Sequence, residues 1–394
     1  MADAYVPTPK DRFTFGLWTV GNPGRDPFGE PTRAALSPAE VVELLAKAGG
    51  DSHGVWGVNF HDNDLVPMGA TPAEADAIKG SFAAALKKAK MRVAMVTANL
   101  FSDPAFKDGA FTSNDAEVRA FAVQKCMRAM DLGAEFGAKV FVFWGGREGV
   151  ETEGAKDPIE AEQRFRRAVD FLCDYSIHRR YEYRFALEAK PNEPRGHMYF
   201  ATTGHYLALI PSLKHPDLVG VNPEVAHEHM AGLNFTHAVA QALAAGKLFH
   251  VDLNDQQFGR FDQDFRFGSV DPKAAFFLVK LLEEQGYDGF RHFDAHAYRT
   301  ADRDDVVEFA RGCMRTYLIL KDKAKRWAAD STIKSLLKQI NSPSKDLDRL
   351  CETFTKSHAE TLLAMAFDRA ALAARPLPYE RLDQRTMEIL LGVD

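Results

Sequence analysis

The sequence contains few cysteines and no long hydrophobic run. Its four cysteines lie far apart in 394 residues, and no two of them form a Cys-x-x-Cys pair. This usage is typical of reduced thiols and not of a disulfide framework, so it favours a cytoplasmic protein. No apolar run approaches the ~20 residues that a membrane-spanning helix needs. We expect no signal peptide, because no basic patch followed by an apolar stretch opens the chain.

An excess of basic charge is also missing. The 49 lysines and arginines are outnumbered by 55 aspartates and glutamates, which gives a formal net charge of −6. This balance argues against a surface that binds nucleic acid non-specifically or docks on an anionic membrane. The first apolar run is not followed by a Gly-x-Gly-x-x-Gly motif, and the sequence has no Walker-type loop, so nucleotide cofactors lose support.

The chain instead alternates short apolar runs with longer helical patterns. Two helix starts carry the same signal, Ser-Pro-Ala-Glu at 37–40 and Thr-Pro-Ala-Glu at 71–74, in which a cap precedes a proline and a capping-box glutamate. Eight strand–helix units favour a closed parallel (β/α)8 barrel, the TIM barrel, over an open doubly wound α/β sheet. The runs that we predict as strands are 13–18, 55–60, 92–97, 139–144, 183–188, 218–222, 248–253 and 289–294.

The pattern changes after residue 328. We therefore divide the chain into a TIM-barrel domain, residues 1–328, and a C-terminal helical arm, residues 329–394. The segment Asn-Ser-Pro-Ser at 341–344 cannot continue a helix, and the arm has little apolar content for a core of its own. We expect the arm to pack on the barrel or on a neighbouring subunit.

Carboxylates at the predicted strand ends indicate a metal site. In a (β/α)8 barrel the functional residues lie at the carboxyl ends of the strands. Four acids on consecutive strand ends repel one another unless they are protonated or bridged by a cation, and oxygen ligands suit Mg²⁺ or Mn²⁺. The alternative for any one acid is a helix cap or an ion pair with an arginine. The four acids are Glu188, Glu224, Asp252 and Asp294.

A second group of ligands follows in the sequence. Asp262 and Asp264 lie two residues apart in a predicted loop, so both carboxylates can hold one ion from the same side. Glu224 and His227, three residues apart, can present an oxygen and an imidazole to that ion. An Asp-x-Asp pair alone is usually a solvated turn, but this combination favours a second metal site that shares Glu224.

His61, Asp64 and Lys190 are candidates for chemistry on a substrate. A carboxylate bonded to one imidazole nitrogen fixes the tautomer and leaves the other nitrogen to act on a substrate. The alternative for His61 and Asp64 is a surface histidine beside a turn. Lys190 lies two residues beyond Glu188 and so faces the same side of extended backbone, where its ammonium can hold a substrate oxygen.

Three aromatic residues also follow predicted strands. They can form an apolar wall that excludes water and stacks on the C–H face of a carbohydrate. Aromatic side chains at strand ends serve as plain core equally often, so each is ambiguous alone. The three are Trp18, Phe101 and Trp144.

Five motifs together resemble the xylose isomerase family, in its shorter, actinobacterial-type form, which is also known as glucose isomerase. They occur in the family's order between about Phe13 and Thr300, whereas the tail resembles the family's subunit-wrapping extension only in position and helical character. The motifs are Phe-His-Asp-Asn-Asp (60–64), Trp-Gly-Gly-Arg-Glu (144–148), Lys-Pro-Asn-Glu-Pro-Arg-Gly (190–196), Asn-Pro-Glu-x-x-His-Glu (222–228) and Phe-Asp-Gln-Asp (261–264).

The resemblance implies a role for each matched residue. His61, supported by Asp64, handles ring opening of the cyclic sugar, and Lys190 holds the carbonyl oxygen. The structural metal site is implied to comprise Glu188, Glu224, Asp252 and Asp294. The catalytic metal site is implied to comprise Glu224, His227, Asp262 and Asp264. The substrate pocket is implied to comprise Trp18, Thr97, Phe101 and Trp144. Phe28 matches an aromatic residue that a neighbouring subunit lends to that pocket, which implies a homotetramer.

The same resemblance implies the reaction. It is the isomerisation of D-xylose to D-xylulose, and of D-glucose to D-fructose, by ring opening and a hydride shift from C2 to C1. Two divalent cations, Mg²⁺ or alternatively Mn²⁺ or Co²⁺, polarise O1 and O2, and no nucleotide cofactor takes part. A base-mediated enediol route would need a carboxylate free of metal, whereas nearly every acid on this rim is committed to a cation.

The chain departs from the family's usual pattern near the site without losing a matched ligand. Ala98 replaces a usual threonine, Ala189 a proline, His229 a glutamine and Asp255 a glycine, and residues 295–298 replace an aromatic-Lys-Pro-x stretch. These changes surround Glu188, Asp294 and the loop before Asp262, so they bear on metal and substrate preference.

Four other hypotheses remain open at this point. One is a metal-dependent phosphodiesterase for damaged DNA on the same barrel, which should carry more histidines and a basic groove. Another is a two-carboxylate glycosidase, for which the surplus of acids is unexpected. A third is a sugar- or metal-binding protein without turnover. The last is an isomerase with a preference for another pentose or hexose.

Overall fold

The computed structural model describes residues 3–393, and its centre is a parallel β-sheet that curls into a barrel. Seven strands pair in the order β8-β6-β4-β3-β2-β1-β9, and β5 and β7 form a separate antiparallel pair. The strands are β1 (Phe13–Gly16), β2 (Val55–His61), β3 (Arg92–Thr97), β4 (Val140–Trp144), β5 (Gly149–Val150), β6 (Arg184–Glu188), β7 (His197–Met198), β8 (Val219–Val221) and β9 (Arg291–Phe293).

The segment 248–253 occupies the gap between β8 and β9. Isolated parallel bridges join Leu248 to Val221, and Asp252 to both Glu224 and His292. The prediction of a regular strand here is wrong, because the amides of residues 249 and 250 both bond to the Val221 carbonyl and no continuous ladder forms. The barrel therefore closes through single bridges at this position.

Helices follow the strands and cover the outside of the sheet. The two predicted capping boxes are present, with Ser37 accepting from the Glu40 amide and Thr71 from the Glu74 amide. The helices are α1 (Leu17–Val20), α2 (Pro38–Gly49), α3 (Asp62–Leu65), α4 (Pro72–Ala89), α5 (Ala116–Glu135), α6 (Pro158–Arg179), α7 (Thr203–Leu209), α8 (Val225–Met230), α9 (Phe235–Ala244), α10 (Pro272–Glu284), α11 (Arg303–Ala329), α12 (Ser331–Ile340), α13 (Lys345–Glu352), α14 (Lys356–Ala364), α15 (Arg369–Ala374) and α16 (Tyr379–Leu391). No helix in this described range is both long and apolar enough to cross a membrane.

The first strand is shorter than predicted. It ends at Gly16, and α1 turns Trp18 back over it, so that the part of the predicted strand beyond Gly16 is helical. A Cβ atom on Gly16 would lie 2.5 Å from the Trp18 ring, so a side chain there would displace the indole. The glycine thus permits the close approach that places Trp18 above the barrel.

The barrel interior beneath the strand ends is packed with apolar side chains. A cluster of five buried residues fills it, and its burial supplies the main driving force for closing the sheet. The five are Met95, Val140, Val142, Ala186 and Phe249. This packed floor supports the polar residues at the strand ends.

The chain divides into two compact units, the first of which ends at Ile319 and the second of which begins at Leu320. Within the second unit Ile333, Leu336 and Ile389 are buried, and Trp327 donates a 2.9 Å hydrogen bond to Thr386. Residues 341–344 are not helical, as predicted. Phe354 and other apolar side chains of this unit stay exposed. Packing of the arm on a neighbouring subunit stays a prediction.

Candidate metal centre

A cavity of about 310 Å³ opens at the carboxyl ends of the barrel strands. Most of the residues singled out in the sequence line it, together with Ala295 and His296 from the segment after β9. The predicted residues that line it are Trp18, His61, Thr97, Phe101, Trp144, Glu188, Lys190, Glu224, His227, Asp252, Asp262, Asp264 and Asp294.

Two predicted residues lie outside this cavity. Asp64 stands behind His61 and accepts a hydrogen bond from its ring. Phe28 is fully exposed on a turn between Asp26 and Gly29, and the single chain does not bring it to the cavity. Its role in a neighbouring site therefore stays a prediction.

The first group of acids surrounds the amide of Asn222. Its Nδ2 donates to Glu188 Oε2 at 2.9 Å and to Asp252 Oδ2 at 2.7 Å. Asp294 accepts a 2.7 Å hydrogen bond from the Trp18 indole nitrogen. Glu188 ends β6 and Asp294 directly follows β9, so the parallel sheet brings residues distant in sequence to one edge.

The second group of ligands includes the imidazole of His227. Its Nδ1 lies 3.2 Å from Glu224 Oε2 and 3.6 Å from Glu188 Oε1, and its Nε2 lies 3.3 Å from Asp262 Oδ2. Asn254 Nδ2 donates to Glu224 Oε1 at 2.7 Å and to Asp264 Oδ1 at 2.8 Å. Glu224 therefore stands between the two groups.

The electrostatics of these groups fit a bound cation. Burial, followed by the charges of neighbouring acids, raises the pKa of five carboxyls above the usual range in the metal-free protein. His227 Nδ1 and Asp262 Oδ1 are buried and make no hydrogen bond to the described residues. Divalent cations would remove both the repulsion and the unpaired ligand atoms. The five carboxyls are Glu188, Glu224, Asp252, Asp264 and Asp294.

Close triples of ligand atoms occur at three places in the described residues. In each triple the atoms lie within 4.8 Å of one another, which is the spacing that one ion can bridge. The triples are Glu188, Glu224 and His227; Glu224, Asp262 and Asp264; and Asp252, His292 and Asp294.

Lys190 is buried and pairs with Asp262, whose Oδ2 lies 2.7 Å from Nζ. Burial alone would lower the pKa of Lys190, but the Asp262 charge raises it above its ordinary value. For Asp262, burial favours a higher pKa, yet the ammonium of Lys190 and the ring of His227 hold the pKa below its usual range. The pair therefore consists of an ammonium and a carboxylate.

His61 is oriented by Asp64. Its Nδ1 lies 2.8 Å from Asp64 Oδ2, and the same oxygen accepts the His61 backbone amide at 2.9 Å. Burial would lower the pKa of His61, but the charge and hydrogen bond of Asp64 outweigh it and raise the pKa above its ordinary value. The carboxylate holds the proton on Nδ1 and leaves Nε2 free for a substrate.

Aromatic rings form one continuous wall of the cavity. Trp18 packs against His61 with ring centroids 4.5 Å apart, His61 against Phe101 at 5.6 Å, and Phe101 against Trp144 at 4.5 Å. Lys190 Nζ lies 5.3 Å from the Trp144 ring. This wall gives part of the cavity an apolar surface next to the acids.

A buried carboxylate braces the loop that carries Asp262 and Asp264. Asp255 accepts hydrogen bonds from the amides of Gln256, Val270 and Asp271 at 2.8–3.0 Å. Its own backbone pairs with that of Phe265 in both directions. These contacts tie the two ends of the loop together.

The sequence analysis missed four polar residues beside the ligands. Each lies two residues from a predicted ligand, on the segments that form the barrel wall, and therefore on the same side of extended backbone. That period of two was the signal that could have found them. They are Asn222, His250, Asn254 and His292.

Comparison with known proteins gives a family and full-length relatives. Residues 42–317 match the family model described as xylose isomerase-like TIM barrel. The chain is 54% identical over 389 residues to the xylose isomerase of Thermus thermophilus, with 99% of both chains covered. It is 53% identical over 389 residues to the xylose isomerase of Thermus caldophilus, again with 99% of both covered.

Solved structures with much lower identity share the fold. A putative xylose isomerase from Rhodospirillum rubrum has a TM-score of 0.60 at 15% identity, with 78% of this chain and 98% of that chain covered. An AP endonuclease of family 2 from Brucella melitensis has a TM-score of 0.52 at 18% identity, with 76% and 98% covered. At these identities the likeness concerns the barrel alone.

Proposed function

The chain belongs to the xylose isomerase family, and on that premise we propose that it isomerises D-xylose to D-xylulose in the cavity at the strand ends. The observation that carries this proposal is the pair of ligand groups that meet at Glu224, in one cavity with an aromatic wall and Lys190. The same chemistry applies to D-glucose and D-fructose, which differ from the pentoses by one further carbon.

Two divalent cations fit the acids and the imidazole. Glu188, Glu224, Asp252 and Asp294 would hold the first, and Glu224, His227, Asp262 and Asp264 the second. When bound, such ions supply Lewis-acid polarisation of neighbouring sugar oxygens. Carboxylate oxygens suit Mg²⁺, and the imidazole of His227 also accommodates Mn²⁺ or Co²⁺.

The side chain of His61 acts first. Because Asp64 holds the proton on Nδ1, the bare Nε2 can accept the proton of the hydroxyl at C1 of the cyclic sugar and return it to the ring oxygen as the C1–O5 bond breaks. This step yields the open-chain aldose without net proton transfer to solvent.

The open chain then isomerises between C1 and C2. Lys190 Nζ donates a hydrogen bond to the carbonyl oxygen at C1, which stabilises negative charge there. The hydrogen on C2 moves with its electron pair to C1, and the proton of the C2 hydroxyl passes to the oxygen on C1, so an aldose becomes a ketose with no change in atoms or redox state. The wall of Trp18, Phe101 and Trp144 keeps water from the migrating hydrogen.

The alternative of a DNA phosphodiesterase receives less support. The chain is net acidic, with 55 acids against 49 basic residues, and the cavity wall is aromatic where phosphates would need cations. A barrel similar to that of an endonuclease is not evidence for endonuclease activity, because one fold hosts many functions.

The assembly proposed here is a homotetramer of the shorter, actinobacterial-type form. Its support is the full exposure of Phe28 and of apolar side chains such as Phe354 and Leu363 in the arm. In this arrangement residues 1–328 form the catalytic domain, residues 329–394 join subunits, and Phe28 completes the site of a neighbour.

Ketose formation tests the function directly. The protein, stripped with EDTA, should give no D-xylulose from D-xylose until Mg²⁺ or Mn²⁺ is added. With D-xylose deuterated at C2, the label should remain on C1 of the product, because the hydrogen never reaches solvent. Exchange of the label with water would contradict the hydride shift.

Lys190→Met provides the matched control. The substitution should abolish turnover, because methionine keeps the length of the side chain without its ammonium. The Tm and the binding of cations should stay close to those of the parent. A parent protein that binds two ions and gives no ketose would contradict the isomerase proposal.

A further inference from the structure

His250 is fully buried beneath the first group of acids and belongs to neither ligand group. It precedes Asp252 by two residues, so both side chains face the barrel interior. Its Nδ1 lies 3.0 Å from Asn222 Oδ1 and 3.1 Å from Asp252 Oδ1. Its Nε2 makes no hydrogen bond to the described residues. All polar contacts of the ring are therefore on the Nδ1 side.

The neighbouring carboxylates determine the orientation of the Asn222 amide. Glu188 and Asp252 each accept a hydrogen bond from Asn222 Nδ2. When they hold a cation both are ionised, and an ionised carboxylate can only accept. Asn222 Oδ1 must consequently face His250. A reversed amide would direct a carbonyl oxygen at two acids.

The proton of His250 follows from that orientation. Nδ1 faces two acceptors, Asn222 Oδ1 and Asp252 Oδ1, so it must carry the hydrogen. The Nδ1 hydrogen is thus the donor that holds Asn222 in its observed orientation.

We propose that His250 is a positioning residue, whose Nδ1 hydrogen fixes Asn222 so that the amide brackets Glu188 and Asp252 and prearranges the first cation site. The inference rests on the proposed function, because it assumes that these acids hold a cation. His250 touches no substrate and acts through Asn222.

The effect should be confined to the first site. Asn222 bonds to Glu188 and Asp252, whereas Asp264 is held by Asn254 and Asp262 by Lys190. His250 takes no part in the contacts that Asn254 and Lys190 make. Loss of the Nδ1 donor should therefore weaken one cation and leave the other largely unchanged.

Two amide substitutions distinguish loss of the hydrogen-bond donor at Nδ1 from a change in side-chain packing. His250→Asn places an amide nitrogen near the position of Nδ1, and His250→Gln places it near Nε2. Mn²⁺ binding to the metal-stripped full-length protein is measured by isothermal titration calorimetry. We expect His250→Gln to weaken the first site by about 10–100-fold. His250→Asn should stay close to the parent, and the second site should change little in both variants.

Three results would overturn the inference: unchanged affinity in His250→Gln, equal weakening in both variants, or equal weakening of both sites. Thermal unfolding of each metal-free variant checks its fold. If His250→Gln does not fold, Asn222→Ala takes its place with the same expectation of loss at the first site. A parent protein that binds no Mn²⁺ would overturn the proposed metal sites as well, whereas two bound ions and an unresponsive His250→Gln would overturn this inference alone.

Discussion

In the proposed mechanism, the pair of His61 and Asp64 makes ring opening depend on the pH of the solution. Asp64 contacts Nδ1 at 2.8 Å and raises the pKa of the imidazole against the opposing influence of burial. Only the neutral imidazole can accept a proton at Nε2. The rate should therefore fall on the acid side as His61 becomes protonated.

Asp64→Asn should move this acid limb to lower pH. Removing the carboxylate charge removes the influence that raises the pKa of His61, so the ring stays neutral at lower pH. The maximal rate should fall by about 10-fold or more, because the amide no longer enforces the tautomer. The pH profile of kcat/KM for D-xylose at saturating Mn²⁺ measures both effects.

Asp64→Glu is the control for that profile, because it retains the charge. Cation occupancy at each pH must be measured alongside, since protonated acids release metal. An acid limb that stays in place in Asp64→Asn would show that His61 is not the titrating group.

At individual positions, acids were easier to predict than amides. Glu188 and Asp294 were predictable because several carboxylates at strand ends demand a counter-ion. Asn222 and Asn254 carry no charge, and each has meaning only through partners that lie about 30 residues away across the barrel. The exposure of Phe28 could not be predicted either, because it depends on the turn formed by residues around it.

The loop that follows the seventh segment of the barrel is organised by Asp255. Three backbone amides donate to its carboxylate and close the loop on itself. Burial raises the pKa of Asp255, and the amide hydrogen bonds oppose that rise. The loop carries Asp262 and Asp264, the ligands of the proposed second cation site.

Asp255→Ala should loosen this loop and weaken the second cation by about 10-fold or more. The ligands of the first cation lie on barrel segments outside the loop, so its affinity should change little. Any small change should come through Glu224, which both sites share. Calorimetric titration with Mn²⁺ resolves the two sites. Asp255→Asn, which retains one acceptor oxygen, should give a smaller loss. Equal loss at both sites in Asp255→Ala would contradict the role of the loop.

Among strands and helices, the long regular ones agree with prediction and the irregular ones do not. The capping boxes at Ser37 and Thr71 are local signals, so they could be read directly. The segment 248–253 has the composition of a strand, but its hydrogen bonds depend on register against β8, which no local pattern encodes. Helix α12 forms in a polar stretch because its apolar residues Ile333 and Leu336 lie on one buried face.

The molecule concentrates ionisable acids at one end of the barrel. In the metal-free protein the pKa of five carboxyls is raised by burial and by their neighbours, while that of Asp262 is lowered against burial by Lys190. A raised pKa means that the folded protein holds protons which the unfolded chain releases above about pH 4. The five groups thus favour folding at low pH, and Asp262 opposes them.

The Tm of the metal-free protein should therefore fall as pH rises from about 5 to about 8, because the folded protein releases the protons of the five raised groups over this range. Asp262 is ionised in both states above about pH 5 and adds no slope, and buried histidines with a lowered pKa, such as His250 and His292, oppose the fall only below about pH 6.5. Mn²⁺ at about 1,000 times its Kd should add about 4 kcal/mol of stability per site at the higher pH. Differential scanning calorimetry with EDTA and with Mn²⁺ measures both. A metal-free Tm that rises over this range would contradict the electrostatic account.

Subunit exchange can test whether Phe28 serves a neighbouring site. Phe28→Ala and Lys190→Met should each be nearly inactive alone. Mixed by unfolding and refolding together, they should regain part of the activity, since some sites then combine an intact Lys190 with a Phe28 from the neighbour. Activity that stays at the level of the separate variants would contradict the sharing of Phe28, and co-refolding with a second Lys190→Met sample is the control.

The hydrogen bond from the Trp18 indole to Asp294 has an optical consequence. The indole nitrogen donates a 2.7 Å hydrogen bond to Asp294, an acid of the proposed first cation site, and the ring also packs against His61. Binding of a cation to this carboxylate must alter the electric field across the indole and therefore its fluorescence emission. The intrinsic fluorescence of this one side chain therefore offers a label-free signal for the filling of the first site in real time.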